Sequence, residues 1–293
     1  MPWYIYSILA SLSFVGMVLC TRYLGNKGFS SKQILLFLFG FAFFGFVISN
    51  IGSFAVWTSG QSLIFLLILI IAAILSAIGN WADFTAVIKA PNPGFAGVIK
   101  SSNVLLVAIF SVLIFGSSLS LAKLLGILLV IGGIALVIIE KNNVITESEK
   151  SSSGWKVMAG ISALSFGLEV LCIKKAIQLG LSAAQINLFI FGFNFLAFVI
   201  LTRKEVKNYF KDKIKLKIFL PIVLLAAAFS FIANIFNVKG LAIAPNPGYN
   251  ESIKNTQILF STLLSVPLFG AMLNKQKLFG VIVALIGVII LVI

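Results

Sequence analysis

Apolar stretches of about 18 residues or more recur from one end of this sequence to the other, and that length is what crossing ~30 Å of hydrocarbon requires. "SLIFLLILIIAAILSAIG", from Ser62 to Gly79, contains no charge at all. Soluble domains carry charge on about a quarter of their residues. Here 10% of 293 residues are charged and 60% are apolar, far too many to hide in one aqueous core. A membrane barrel would instead show ~10-residue segments of alternating polarity. The expectation is an all-α, multi-pass membrane protein.

The formal charge of +14 does not signal nucleic-acid binding, because no basic stretch is interleaved with stacking aromatics on a soluble module. In a membrane protein Lys and Arg gather in cytoplasmic loops. Cys20 and Cys172 sit in apolar runs and suggest neither a disulfide framework nor a metal site. Histidine is absent, so the commonest metal ligand and the side chain that titrates near neutrality are both missing. No cofactor or metal is expected. "MPWYIYSILASLSFVGMVLC" lacks a basic leader and a clear cleavage site, and reads as the first span.

The sequence is written twice. Ser13–Phe41 aligns with Ser165–Phe193 at an offset of 152, with 14 of 29 positions identical. Ala90–Ile139 aligns with Ala244–Ile293 at an offset of 154, with 18 of 50 identical. Shared Cys, Gln, Asn, Pro, Gly and Lys cannot be explained by apolar composition. Each half reads as five spans: Trp3–Thr21, Gln33–Val56, Ser62–Ile88, Pro93–Phe115 and Leu121–Ile139, then Trp155–Ile173, Ala184–Leu201, Ile218–Val238, Pro247–Phe269 and Leu278–Ile293. The expected organisation is a first repeat over 1–139, a polar linker over 140–154 and a second repeat over 155–293. After an odd number of crossings the chain lies on the opposite face, so the second half enters the membrane upside down. Inverted-topology repeats of this kind bind substrate near the midplane between the halves.

Ten spans in two five-span halves over about 300 residues resemble the drug/metabolite transporter superfamily, specifically its EamA-type members. The resemblance covers essentially the whole chain and rests on architecture and repeat pattern more than on one motif. It implies a secondary carrier for a small metabolite, with a central cavity lined by the first, third and fourth spans and their second-half mates. It does not fix the substrate, since the superfamily carries amino acids, sugars, nucleotide sugars, cations and drugs. The loops after spans 1, 3, 5, 7 and 9, together with Lys156 at the very start of span 6, hold 16 of the 22 basic residues. The positive-inside rule therefore puts both termini outside the plasma membrane, whereas EamA-type proteins are expected to have both inside.

Each half carries "APNPG" followed by a lysine: "APNPGFAGVIK" (Ala90–Lys100) and "APNPGYNESIK" (Ala244–Lys254). Pro91 and Pro245 end a helix. Asn92 and Asn246 can cap the next one, and Pro93 and Pro247 suit its first position. The motif is thus a helix stop and restart, either a tight turn at the surface or a helix N-terminus aimed at an anionic substrate group. Lys100 and Lys254 follow about two turns into the fourth and ninth spans. A charge in hydrocarbon must snorkel, pair or face water, and the repeat relation favours a shared cavity. Asp83 lies across the hinge from Lys100, Glu251 precedes Lys254 by three residues on one helical face, and Glu169 lies inside span 6. These carboxyls can neutralise the lysines or carry a coupling proton. Asn80 and Trp81 beside Asp83, the repeat mate Asn234, and Tyr249 complete the candidate substrate-contacting set.

Gln33 and Gln185, matched across the repeat, are expected to tie helices together. The small residues of the fifth and tenth spans suit close packing, including a contact between subunits of a homodimer. The leading functional expectation is an alternating-access, proton-coupled carrier exporting an amino acid or related zwitterion. The alternative is an exchanger of anionic or phosphorylated metabolites held by the two lysines. A membrane-embedded transferase is disfavoured by the missing His, metal-ligand cluster and DxD-like carboxylates, and a passive channel by the broken helices and paired charges.

Overall fold

The computed structural model describes residues 1–51, 62–89, 93–138, 154–209, 213–269 and 275–293. Among them every regular element is a helix: α1 Trp3–Asn26, α2 Ser31–Ser49, α3 Ser62–Lys89, α4 Pro93–Ser101, α5 Asn103–Phe115, α6 Leu121–Ile138, α7 Gly154–Gln178, α8 Ala183–Thr202, α9 Val206–Tyr209, α10 Lys213–Ile243, α11 Pro247–Asn255, α12 Gln257–Phe269 and α13 Lys275–Val292. Eight stretches, with α4 and α5 joined into one, are long and apolar enough to cross a membrane, and α6 is a shorter apolar helix. Large apolar side chains such as Ile48, Ile71, Leu113 and Ile200 lie exposed on the outside, which lipid tolerates and water does not.

Two pairs of repeat mates, α2 with α8 and α6 with α13, pack antiparallel, as suits an inverted repeat. Gly40 of α2 lies against Phe195 of α8, and Gly192 of α8 lies against Phe43 of α2. The rings between them interlock: Phe39 meets Phe191 edge-on at 5.5 Å, and Phe46 meets Phe231 of α10 at 4.5 Å. The fifth and tenth spans form the tighter seam. A Cβ on Gly133 would sit 2.5 Å from both the Ala284 nitrogen and the Gly280 oxygen, and one on Gly126 would sit 3.1 Å from the Gly287 oxygen. The backbones of α6 and α13 therefore touch, which only glycine permits. Gly126, Gly133, Gly280 and Gly287 thus bring α6 and α13 together inside one chain.

Two faces can be told apart. On the basic face Lys32, at the start of α2, pairs with Glu205 beyond the end of α8 at 3.0 Å. On the opposite face two lysines serve helix ends. Lys174 donates to the Leu241 and Ala242 carbonyls near the end of α10, at 2.7 and 3.2 Å. Lys123 donates to the Ile290 and Leu291 carbonyls of α13, at 3.0 and 3.2 Å. Cations there satisfy otherwise orphaned carbonyls and complement the helix dipole.

Gln33 and Gln185 both stand in the first turn of a helix. Ser182 and Gln185 form a capping box at the start of α8, and Ser30 accepts from the Gln33 backbone at the start of α2. Both sit in the sequence pattern Ser-x-x-Gln, which satisfies backbone donors that a helix start leaves free.

Candidate functional site

The second hinge is fully described. α10 ends at Ile243, and α11 restarts at Pro247 with Asn246 as its cap, whose Oδ1 accepts from Gly248 N at 2.8 Å. The Asn246 amide also donates to the Ala108 and Ser118 carbonyls, at 3.1 and 3.3 Å. Gly248 is pressed on α5, where a Cβ would lie 2.7 Å from Ala108 Cα. That helix start and α5 are thus in direct contact at Asn246 and Gly248, as in a tight turn. In the first copy Pro91 and Asn92 lie outside the described residues, and Pro93 opens α4.

Each lysine meets a carboxyl. Lys100 Nζ lies 2.9 Å from Asp83 of α3, the two side chains being 22% and 18% exposed. Lys254 pairs with Glu251 one turn earlier on α11, and Glu251 is fully buried with Oε1 left without a hydrogen-bond partner. Lys100 Nζ lies 5.9 Å from the centre of the Phe166 ring of α7, and the Glu169 carboxyl of the same helix is within electrostatic range of Lys254 and Glu251. Phe166 and Glu169 are three residues apart, about 4.5 Å along the axis, near the middle of the 25-residue α7.

A polar ladder leads away from Glu169. Ser76 of α3 lies beside its carboxyl, and the Asn80 amide donates to the Ser76 carbonyl at 2.8 Å and to its hydroxyl at 3.5 Å. Asn234 makes the same bonds to Ser230, at 2.8 and 3.4 Å. Trp81 is not part of this face. It is 50% exposed and shares the outer stripe of α3 with Ile71, Ile74 and Ile78, because Asn80 and Trp81 are 100° apart on a helix. Tyr249 is buried, donating its hydroxyl to the Ser118 carbonyl at 2.7 Å and resting 6.2 Å from the Trp3 ring.

One feature escapes sequence reading. Directly after the lysines, at Ser102 and Thr256, the helix tightens for one residue. Ser102 N bonds Ile99 O and Thr256 N bonds Ile253 O, both at 3.1 Å and both reaching back three residues. Each hydroxyl bonds the same carbonyl, at 2.7 and 2.6 Å, a back-bond that bends helices. Beside these bends the Asn255 amide donates to Asn103 Oδ1 at 3.2 Å, joining the two halves. The polar runs "SSN" and "NTQ" are the only sequence trace of it.

An inverted bundle of apolar helices with paired charges inside it is the architecture of a membrane transporter of small molecules. The model of the EamA-like transporter family matches residues 1–139 and again 154–293, and the chain belongs to that family. A solved structure described only as "Crystal structure of protein" is similar in fold, with a TM-score of 0.72 at 14% identity over 98% of this chain and 95% of that one. No curated protein matches the sequence.

Proposed function

We propose that this transporter works by alternating access in the plasma membrane, exporting a small zwitterion of the amino-acid type in exchange for protons. Its cavity lies between two five-helix repeats, 1–139 and 155–293. The observation that supports this reading is a pair of repeat-related lysines, each matched by a carboxylate inside the bundle, Lys100 by Asp83 and Lys254 by Glu251, with Glu169 of α7 as a third carboxyl. Charges at such depth need partners of opposite sign, and a zwitterion brings one for each kind. With all five groups ionised the cluster has one negative charge in excess. A proton on Glu169 or Glu251 removes that excess, and the ammonium of the substrate replaces the proton. A phosphorylated anion fits less well, because both lysines are already matched by carboxylates. The basic face is the cytoplasmic one, by the positive-inside rule.

Counterflow in proteoliposomes tests the proposal. Amino acid on the trans side should accelerate uptake on the cis side, and an inward proton gradient should drive export. Uptake indifferent to trans substrate would indicate a channel. Unchanged pH dependence in Asp83→Asn, Glu169→Gln and Glu251→Gln alike would remove the proton from the mechanism. Reporter fusions at Ile293 check the orientation, which a cytoplasmic C-terminus would reverse.

A further inference from the structure

The repeat relation makes each face answer to the other, and described positions of the two helix junctions beside the hinges can be matched one to one. On the basic face Ala86 of α3, Ala96 of α4, and Trp155 and Ala159 of α7 form a small buried apolar cluster. An offset of 154 carries Ala86 to Gly240 and Ala96 to Asn250. An offset of 152 carries Trp3 to Trp155 and Ser7 to Ala159. The same four positions on the opposite face are therefore Gly240 of α10, Asn250 of α11, and Trp3 and Ser7 of α1.

Their chemistry is different. Ser7 Oγ donates to Asn250 Oδ1 at 2.6 Å, and Asn250 Nδ2 donates to Asn237 Oδ1 at 2.8 Å, binding α1, α11 and α10 together. All three side chains are buried: Ser7 and Asn250 completely, Asn237 to within 6%. Gly240 makes room, since a Cβ there would overlap Asn250 Oδ1. The mate of Asn237 is Asp83, which is engaged by Lys100 instead. One junction is closed by alanines touching, the other by a hydrogen-bonded asparagine seated on a glycine.

We propose that the Ser7–Asn250–Asn237 chain is a latch that holds the hinge-side gate of the opposite face shut, so that the resting carrier opens toward the basic face. This rests on the alternating-access reading above. Opening the alanine junction separates apolar side chains and the Asp83–Lys100 pair, whose side chains are already 18% and 22% exposed. Opening the latched gate strips buried amides of their partners, which costs more for each group left unpaired. Carriers move between states by small energy differences, so the unequal junctions bias the resting population.

Cysteine accessibility tests it. In a Cys20→Ser/Cys172→Ser background, Ser11→Cys reports on the latched gate, one turn inward from Ser7 and against Thr256 at 3.0 Å. Its repeat mate Ala163→Cys reports on the other gate. A membrane-impermeant maleimide applied from each side in turn should label Ala163→Cys at least ~10-fold faster than Ser11→Cys. Ser7→Ala/Gly240→Ala/Asn250→Ala copies the alanine junction into the latched one and should bring the ratio toward one. Gly240→Ala alone should speed Ser11→Cys labelling by displacing Asn250, and adding Asn250→Ala should restore packing, which keeps the test valid if the triple variant does not fold. Equal labelling in the parent, or a ratio unmoved by these variants, overturns the latch and leaves the carrier reading intact. Failure of either cysteine to react from any side overturns alternating access and the latch with it.

Discussion

Gly132 and Gly133 are neighbours in α6, yet they face different surroundings. Nothing lies within 4 Å of a Cβ built on Gly132, while one on Gly133 would sit 2.5 Å from backbone atoms of α13 on two sides. Backbone cannot rotate away as a side chain can, so Gly133→Ala must push the two helices apart along the seam. Overpacking of this kind costs about 1–3 kcal/mol. Gly132→Ala instead gains helix propensity, up to about 1 kcal/mol in a helix interior. The two single-methyl variants should therefore differ by about 2–4 kcal/mol in opposite directions from the parent. At roughly 2 °C per kcal/mol for a chain of this size, that is a separation of about 4–8 °C in the melting temperature of detergent-purified protein. Equal melting temperatures for the two variants, or a stabilised Gly133→Ala, would show that α6 and α13 do not touch backbone to backbone.

Three further outcomes follow from the polar contacts. Asp83→Asn leaves Lys100 partly buried without its carboxylate and should cost about 1–3 kcal/mol, between the values for exposed and buried pairs. Adding Lys100→Gln should recover part of that loss in a thermal double-mutant cycle, and strict additivity would deny the pair. Asn246→Ala removes a helix cap and two carbonyl bonds and should lose about 1–2 kcal/mol. Asn246→Asp keeps the acceptor for Gly248 N and should fall between alanine and parent by thermal unfolding. The Lys32 ammonium, followed by the Tyr209 hydroxyl, holds the Glu205 carboxyl below its ordinary range. The stability from that contact is then present above the unfolded carboxylate value and fades only as pH falls through the lowered folded one. Parent and Glu205→Gln should show the same pH response from about pH 5 to 8 and part only in more acid solution. Divergence near neutrality in melting curves would contradict the sign.

Architecture was readable from the sequence because it depends on run length and repetition. The offsets of 152 and 154, the hinge motif and the lysines are all local signals, and so is the three-residue spacing that joins Glu251 to Lys254. Features set by register between distant helices were not readable. Trp81 sits beside Asn80 in the chain, but 100° of helical rotation puts it on the lipid side. Asn250 looks like any polar residue in an amphipathic helix until Ser7 and Asn237 are brought to it by α1 and α10. The bends at Ser102 and Thr256 depend on which carbonyl each hydroxyl chooses, and composition says nothing about that. The seam of α6 and α13 was legible as small residues, but which surface they met was not.

That seam also bears on how the molecule is made. While α6 leaves the ribosome its glycine groove has no complement, for the matching ridge is encoded in the other half of the gene. Until α13 is inserted in the reverse sense, the groove can only be lined by acyl chains, which fill it poorly. Biogenesis of this transporter should therefore finish in one late docking event, with everything earlier held open in the bilayer as a loosely joined intermediate.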